Sequence, residues 1–306
     1  MCFCNRSNIE SIEFPLNSKI EIIGERSFCH TQIKAVKTIK YRAFFDIKCL
    51  ESVEFSENSQ LEEIEEEAFK YAAIESFTIL PSITKIGKSI FGYCDNLKTV
   101  HMPENSKLTT LESNLFERSA IEKIFIPSSI KEIKNNAFSY CKNLKKIEIA
   151  SNSQLEKIGN SCFSSSSLES ISFPTSLKSI GYASFAGCGS LIGAEFGKDS
   201  QITEIGDIAF DNSGLTSFFI PKSLRKTGCK IFSDSNNLVS IKIDENCELE
   251  VIEKFTFQSI KIKSMIIPKN IKMLREWSFA FCKQLLEIQL LGDEIVLCKE
   301  VFRLCN

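Results

Sequence analysis

The sequence predicts an α/β repeat solenoid with a parallel β-sheet on one face and short extended or helical turns on the other. A phenylalanine recurs at alternating steps of 25 and 22 residues from Phe44 to Phe279. Each step contains a phrase close to L-x-x-I-x-I, which is typical of a short strand. Phenylalanine also dominates the aromatic residues, with 25 Phe against 5 Tyr and 1 Trp. One apolar ring is therefore used repeatedly for the same purpose.

The recurring phenylalanines, called marker phenylalanines below, divide the whole chain into coils. No coil buries its own Leu, Ile and Phe, so the coils are expected to stack, with strands ~4.8 Å apart. This predicts a single solenoid over residues 1–306, with about 13 coils and no evident caps. The markers are Phe3, Phe28, Phe44, Phe69, Phe91, Phe116, Phe138, Phe163, Phe185, Phe210, Phe232, Phe257, Phe279 and Phe302.

Each coil has the same order of local signals. The L-x-x-I-x-I phrase places apolar side chains on one face of a first strand. Proline or Asn-Ser then ends that strand, because proline lacks an N–H and Asn and Ser bond to nearby backbone. A second extended piece follows, such as LEKIG or LKSIG. A tight helical or 3₁₀ turn around the marker phenylalanine is expected to return the chain to the next first strand.

The full coil resembles the BspA-type, or Treponema-type, leucine-rich repeat. The clearest matches are IEKIFIPSSIKEIKNNAFSYC, LESISFPTSLKSIGYASFAGC and IKSMIIPKNIKMLREWSFAFC. The resemblance extends from Phe3 to Cys305. It implies a right-handed leucine-rich-repeat horseshoe or rod that binds proteins or adheres to surfaces, and it implies no catalytic residues. Many members of this family are cell-surface proteins of bacteria and anaerobic protists.

Charge and hydropathy argue against two classes of partner. The net charge is −2, from 37 basic and 39 acidic residues, which gives no long-range field for nucleic acid or an anionic membrane. No stretch approaches the ~20 apolar residues that span a bilayer, so membrane insertion is not expected. The first residues, MCFCNRSNIE, lack the pattern of a signal peptide. They favour a cytoplasmic location, whereas the family resemblance favours the cell surface.

The 13 cysteines are predicted to be small buried thiols rather than disulfides or metal ligands. Positions 47 residues apart should lie two coils apart, roughly 9.6 Å, which is beyond disulfide reach. Close pairs are missing apart from Cys2-Phe3-Cys4, so no metal or cofactor is expected. One column, three residues after a marker phenylalanine, contains Cys94, Cys141, Cys188, Ser235, Cys282 and Cys305.

The remaining polar motifs do not predict an enzyme. The two histidines, His30 and His101, offer little for a catalytic triad or a metal site. The segment 86–89 reads IGKS like the end of a phosphate-binding loop, but Ser82 stands where that loop needs its first glycine. Two charged clusters are interpreted as solvated faces. They comprise Glu62, Glu63, Glu65, Glu66 and Glu67, and Lys261, Lys263, Lys269, Lys272 and Arg275.

The outward positions of the first strands are the candidate partner-binding face. One outward column is mostly small, so a partner could approach the sheet closely. The next column aims apolar groups at solvent, and exposed aromatic residues on a strand are candidate binding anchors. The alternative is that these are ordinary scattered apolar residues. The candidate residues are Phe125, Phe219, Ile266, His101 and Lys123.

Two functions are compatible with the pattern. The first is a non-catalytic binding module that recognises a protein, or alternatively a glycan, across the strand face. The family resemblance extends this role to a surface adhesin or antigen. The second is a structural element that stacks through uncapped ends. Its end coils, Ile9–Phe14 and Glu287–Phe302, are predicted to self-associate or fray, because open strand edges invite pairing.

Overall fold

The computed structural model describes residues 11–14, 22–23, 36–48, 50–55 and 59–305. The chain forms a parallel β-solenoid of about 11 turns. It divides into two compact units, unit 1 (Met1–Ser153) and unit 2 (Gln154–Asn306). Several predicted features lie outside the described residues, among them two markers that entered the predicted number of 13 coils. These features are Phe3, Phe28, His30 and the Cys2-Phe3-Cys4 segment.

Every regular element in the described residues is a short strand, and each complete coil contributes two of them. Unit 1 contains β1 (Ser11–Phe14), β2 (Ile22–Ile23), β3 (Thr38–Ile39), β4 (Ser52–Phe55), β5 (Glu63–Ile64), β6 (Ser76–Thr78), β7 (Lys85–Ile86), β8 (Thr99–His101), β9 (Thr110–Leu111), β10 (Lys123–Ile126), β11 (Glu132–Ile133) and β12 (Lys146–Ile149). Unit 2 contains β13 (Lys157–Ile158), β14 (Ser170–Phe173), β15 (Ser179–Ile180), β16 (Gly193–Phe196), β17 (Glu204–Ile205), β18 (Ser217–Ile220), β19 (Lys226–Thr227), β20 (Ser240–Ile243), β21 (Val251–Ile252), β22 (Ser264–Ile267), β23 (Met273–Leu274), β24 (Glu287–Leu290) and β25 (Val296–Leu297).

The strands pair in parallel with the equivalent strand of the neighbouring coil. In unit 1, the first strands β6, β8, β10 and β12 form one ladder, and β1 pairs with β4. In unit 2, the first strands pair as β14–β16, β18–β20 and β22–β24. The two-residue second strands form separate parallel ladders, such as β13–β15–β17–β19. This confirms the predicted parallel sheet and its first and second strands.

The marker phenylalanines form the core of both units. From Phe44 to Phe279 each marker ring is at most 1 % exposed, which confirms their predicted burial. In unit 1, Phe44 stacks on Phe69 with ring centroids 4.7 Å apart and planes within 3°. In unit 2, Phe185 stacks on Phe210 at 5.1 Å. The coil repeat therefore places ring upon ring at the distance that favours aromatic stacking.

The turn around each marker phenylalanine differs from the predicted helical turn. No α- or 3₁₀-helix occurs in the part of the chain that the structure describes. Instead, the residues two before and two after every marker from Phe44 to Phe302 have a left-handed backbone, with φ from 49° to 70°. Only one of these positions, Gly187, is a glycine. A left-handed residue on each side of the marker prevents a continuous helical hydrogen-bond pattern.

This left-handed turn directs backbone donors toward the next coil. The N–H groups of the marker and of its two left-handed neighbours all donate to carbonyls of the following coil in the turns around Phe44, Phe69, Phe91, Phe116, Phe163, Phe185, Phe210 and Phe232. Left-handed backbone costs about 1–2 kcal/mol for a non-glycine residue, and these buried hydrogen bonds offset that cost. In the Phe116 coil the bonds run from Asn114 to Asn135 (2.9 Å), from Phe116 to Ala137 (2.8 Å) and from Arg118 to Ser139 (2.9 Å).

Each side chain of the cysteine column donates a hydrogen bond to the carbonyl of an earlier marker phenylalanine. In unit 1, the Cys141 Sγ donates to the carbonyl of Phe116 at 3.0 Å. In unit 2, the Ser235 hydroxyl donates to the carbonyl of Phe210 at 2.8 Å, so serine serves the same role. Cys94, Cys188 and Cys282 make the equivalent bonds to the marker phenylalanine 25 residues earlier. The predicted burial is confirmed for every described thiol of this column except Cys305, which is half-buried. Outside the column, Cys162 and Cys247 are buried, but the prediction is wrong for Cys229 and Cys298, which are half-buried.

The glycine that follows many of the second strands reflects close packing between coils. A Cβ added at Gly87 would lie 2.3 Å from the backbone nitrogen of Glu66. A Cβ at Gly228 would lie 2.2 Å from the backbone nitrogen of Asp207. The glycine in the IGKS segment is therefore explained by the approach of the neighbouring coil, in agreement with its interpretation as part of the repeat rather than a phosphate site.

Candidate functional site on the strand face

The outward side of the first strands, called the strand face below, alternates with the core as the sequence predicts. In β10, Ile124 and Ile126 are buried, Lys123 is exposed and Phe125 is half-buried. Because the strands are parallel and in register, outward residues of neighbouring coils form columns. In unit 1 the pairs are Ser76–Thr99, Thr78–His101, Thr99–Lys123, Lys123–Lys146 and Phe125–Glu148.

Three of the five candidate residues line one depression in the strand face of unit 1. His101, Lys123 and Phe125 surround a space of about 260 Å³. Glu148 borders it and forms a 2.6 Å ion pair with Lys146. The hydrogen bond from Lys146 lowers the pKa of Glu148, so that carboxylate is ionised at neutral pH. The depression thus combines an aromatic ring, the ammonium group of Lys123 and the carboxylate of Glu148 on a shallow surface.

The other two candidate residues belong to unit 2. Phe219 lies on β18 opposite Lys242 of β20 and is 41 % exposed. Ile266 lies on β22 opposite Gln289 of β24 and is 56 % exposed. Both face outward, in the same column of the strand face. Large apolar side chains at this exposure are candidates for burial by a partner.

A second set of exposed apolar residues in unit 2 was not among the predicted site residues. Ile192, Val239 and Leu286 each stand directly before a first strand and are 60 %, 56 % and 80 % exposed. They are 47 residues apart, so they occupy one column on alternate coils. Lys98 and Lys145 occupy the same column in unit 1. The sequence repeat could have pointed to this column, because the residue type at this position varies while the rest of the phrase is regular.

The acidic cluster is largely neutralised by neighbouring coils. Glu67 bonds to both Arg42 and Lys70 at 2.6 Å, and Glu65 bonds to Lys40 at 2.7 Å. Burial raises the pKa of Glu67, but the hydrogen bonds from Lys70 and Arg42 outweigh it, and the pKa falls below its ordinary value. The hydrogen bond from Lys40 lowers the pKa of Glu65. These glutamates hold coils together, which differs from the interpretation as a solvated face.

The chemistry of the buried column does not favour catalysis by its thiols. Burial raises the pKa of Cys94, Cys141 and Cys282 to about 12, so these thiols are protonated at neutral pH. Among residues 36–48, 50–55 and 59–305, no group of three or more His, Cys, Asp or Glu side chains could hold a metal ion. No helix able to cross a bilayer occurs in those ranges.

Comparison with known families identifies the repeat. The model of the BspA-type leucine-rich repeat region, which contains six copies, matches residues 1–60, 31–145, 62–192 and 203–306. The chain belongs to the BspA-type leucine-rich repeat family. This confirms the resemblance inferred from the repeat phrase. No curated protein matches the chain significantly.

Solved structures share the fold of this chain. A leucine-rich repeat protein from Bacteroides ovatus is 19 % identical with a TM-score of 0.65, over 96 % of this chain and 84 % of that one. The pneumococcal vaccine antigen PcpA is 16 % identical with a TM-score of 0.53, over 95 % of this chain and 89 % of that one. At these identities the likeness establishes the fold alone.

Proposed function

We propose that this BspA-type protein is a non-catalytic module that binds another protein through its strand face. Membership of a leucine-rich repeat family supports this role. The observation that carries the proposal is a set of exposed apolar residues in unit 2, two on the strand face and three directly before its first strands. Isolated exposed apolar residues are ordinary, but here Ile192, Val239 and Leu286 share one column and Phe219 and Ile266 share another.

The chemistry of this face favours a protein over a glycan. Protein interfaces draw most of their affinity from a few apolar or aromatic anchors that become fully desolvated. Unit 2 supplies two such groups on its strand face, Phe219 and Ile266, and three more directly before the first strands. In unit 1 the depression beside Phe125 is large enough to receive one partner side chain, and Lys123 lies at its edge. The two units then contribute apolar and charged contacts to the same class of partner.

The proposal extends to architecture and setting. We infer that the coils form a single right-handed solenoid over residues 1–306, with about 13 coils in a horseshoe or rod. The unbroken alternation of 25 and 22 residues from Phe44 to Phe279 supports a single array. A surface adhesin or antigen role is supported by the fold shared with the pneumococcal vaccine antigen PcpA.

Crosslinking in cells that express the protein, followed by mass spectrometry of captured partners, tests the strand-face proposal. Phe125→Ser and the double variant Phe219→Ser with Ile266→Ser are expected to lose the main partner without a change in melting. Tyr182→Ser is the matched control, because Tyr182 is an exposed aromatic residue outside the strand face. Unchanged capture by the strand-face variants would remove these residues from any interface.

A second candidate function is assembly through the ends, and the last coil favours it. Leu290 and Leu297 are exposed there, whereas their register partners in the preceding coil, Ile267 and Leu274, are buried. Open strands and exposed core residues favour pairing with another edge. Light scattering on the 1–306 chain should show size rising with concentration, and Val296→Lys should abolish the rise. A constant monomer size would reject assembly and leave the strand-face proposal unaffected.

A further inference from the structure

A ladder of aromatic and cationic side chains runs along the turns of unit 1, away from the columns of the strand face. Its members stand two residues after successive marker phenylalanines, where the left-handed backbone sends every side chain in the same direction. They are Tyr71, Tyr93, Arg118 and Tyr140, with φ of 63°, 59°, 55° and 57°. The rings of Tyr71 and Tyr93 are 4.9 Å apart, close to the spacing of neighbouring strands.

Arg118 takes the place of a ring in this ladder. Its guanidinium carbon lies 4.6 Å from the ring centroid of Tyr140 and 5.7 Å from that of Tyr93. Both distances are within the range of cation–π attraction. Arg118 is thus in contact with two rings, while its side chain is exposed to solvent. The N–H groups at the edge of the guanidinium therefore remain available to solvent.

Arg118 differs from the other arginines that the structure describes. Arg42, Arg225, Arg275 and Arg303 each pair with a glutamate. Arg118 has no acidic partner within hydrogen-bond distance in the described part of the chain. The adjacent Glu117 instead accepts a 3.4 Å hydrogen bond from the hydroxyl of Tyr93. The ladder thus contains a cation that contacts two aromatic rings but forms no ion pair with the carboxylates of the described residues.

We propose that Arg118 is a docking residue for a carboxylate of an acidic segment in a protein partner. The guanidinium edge matches a carboxylate in two parallel hydrogen bonds. Stacking restricts the side chain before binding, which reduces the entropy lost on association. Lys142, 5.6 Å from the ring of Tyr140, is exposed and supplies a second positive charge.

Charge around the ladder selects this partner over a denser polyanion. Glu117 is adjacent to Arg118, and Asp95 follows Tyr93 by two residues. These carboxylates repel a continuous row of phosphates or sulfates, such as a nucleic acid strand. A peptide with spaced carboxylates can place one group on Arg118 and keep the others away from Glu117. The near-neutral charge of the whole chain favours the same choice.

The test follows the arginine side-chain N–H signals by NMR during titration with a hexaglutamate peptide, at low salt. The Arg118 signal should shift most, and Arg118→Gln should weaken binding about three- to fivefold, as expected for one exposed ion pair. Arg225→Gln is the matched control, because Arg225 is exposed but already paired with Glu248. Equal weakening by the two variants, or no binding by the unmodified protein, would overturn the proposal.

Two further experiments distinguish binding at the stacked Arg118 from general attraction between the peptide and surface charges. Tyr140→Leu keeps Arg118 but removes one stacking partner, and it should weaken hexaglutamate binding while melting is unchanged. Unaltered binding would show that stacking has no role and would overturn the proposal. Oligo-dT that binds as tightly as hexaglutamate would overturn the choice of a protein partner. Phe219→Ser should bind hexaglutamate normally, so this surface is tested independently of the strand face.

Discussion

The two units have interiors of the same kind but present different surfaces. In both, marker phenylalanines stack at the core, and a thiol or hydroxyl three residues later bonds to the preceding marker carbonyl. Outside, unit 1 carries Lys98 and Lys145 in the column where unit 2 carries Ile192, Val239 and Leu286. The aromatic and cationic ladder around Arg118 also belongs to unit 1.

The difference shows which part of a coil is constrained. An interior side chain packs against its own equivalent in the next coil, so a change at one position disturbs contacts on both sides. An outward side chain meets solvent, and its identity has little effect on stacking. Partner selection therefore depends on the outward columns, and stability on the inner ones. The following substitutions test this division.

The largest effect is expected at the core markers. Phe138→Ala in unit 1 and Phe210→Ala in unit 2 should each lower the free energy of unfolding by about 3–5 kcal/mol, because both rings are fully buried. Denaturant unfolding measures the loss. The outward Phe219→Ala is the control and should cost less than about 1 kcal/mol. A loss below 1 kcal/mol for Phe138→Ala would contradict its role in the core.

Loss of the ion pairs of Glu67 in unit 1 should cause the next largest decrease in the free energy of unfolding. Glu67→Gln removes a carboxylate that bonds to Arg42 and Lys70, and should cost about 1–3 kcal/mol at pH 7. Because folding lowers the pKa of Glu67 below about 4.5, its stabilisation is complete above that pH and is lost as pH falls through the folded value. Unfolding of both proteins from pH 7 to pH 3 should show the difference disappear.

The control for that experiment is Glu66→Gln. Glu66 is an exposed neighbour, and its replacement should change the free energy of unfolding by less than about 0.5 kcal/mol. A constant difference between Glu67→Gln and the unmodified protein across the range would mean that the ion pairs are not what stabilises this position.

Substitution in the cysteine column should lower the free energy of unfolding by a smaller amount, and serine should largely replace the thiol. Cys141→Ala removes the bond to the carbonyl of Phe116 and should cost about 1–2 kcal/mol. Cys141→Ser should cost less than about 1 kcal/mol, because Ser235 makes the same bond in unit 2. Thermal unfolding of the two variants measures the contrast. Equal losses for alanine and serine would show that the hydrogen bond contributes nothing.

The smallest effect is expected at Thr227, where a polar residue interrupts the apolar repeat. Thr227 occupies a buried second-strand position that holds Ile205 and Ile252 in nearby coils, and its hydroxyl has no partner among the described residues. Thr227→Val should stabilise unit 2 by about 1 kcal/mol, because it removes an unsatisfied buried hydroxyl and keeps the shape. Thr203→Val, at an outward site, is the control. A loss of stability at Thr227→Val would indicate a hydrogen bond that the buried site supplies.

Local periodicity explains why much of the fold was predictable. The alternation in segments such as KIFI at residues 123–126 determines which side chains point inward, and the step between markers determines the coil length. The resulting register places His101, Lys123 and Phe125 together, as the outward columns required. The column of Ile192, Val239 and Leu286 was missed because its position precedes the strand rather than lying within it.

The sequence by itself determined the repeat, the paired short strands and the buried phenylalanine column, because these depend on spacing along the chain. Only the tertiary structure decided how the turns are built and where their donors go. The left-handed residues two positions before and after each marker are almost never glycine, so the local sequence does not predict their conformation. Their conformation is stabilised by hydrogen bonds to a neighbouring coil 21 residues or more away, as from Phe116 to Ala137. The stacking of Arg118 between Tyr93 and Tyr140 arises for the same reason, since it requires three coils in register.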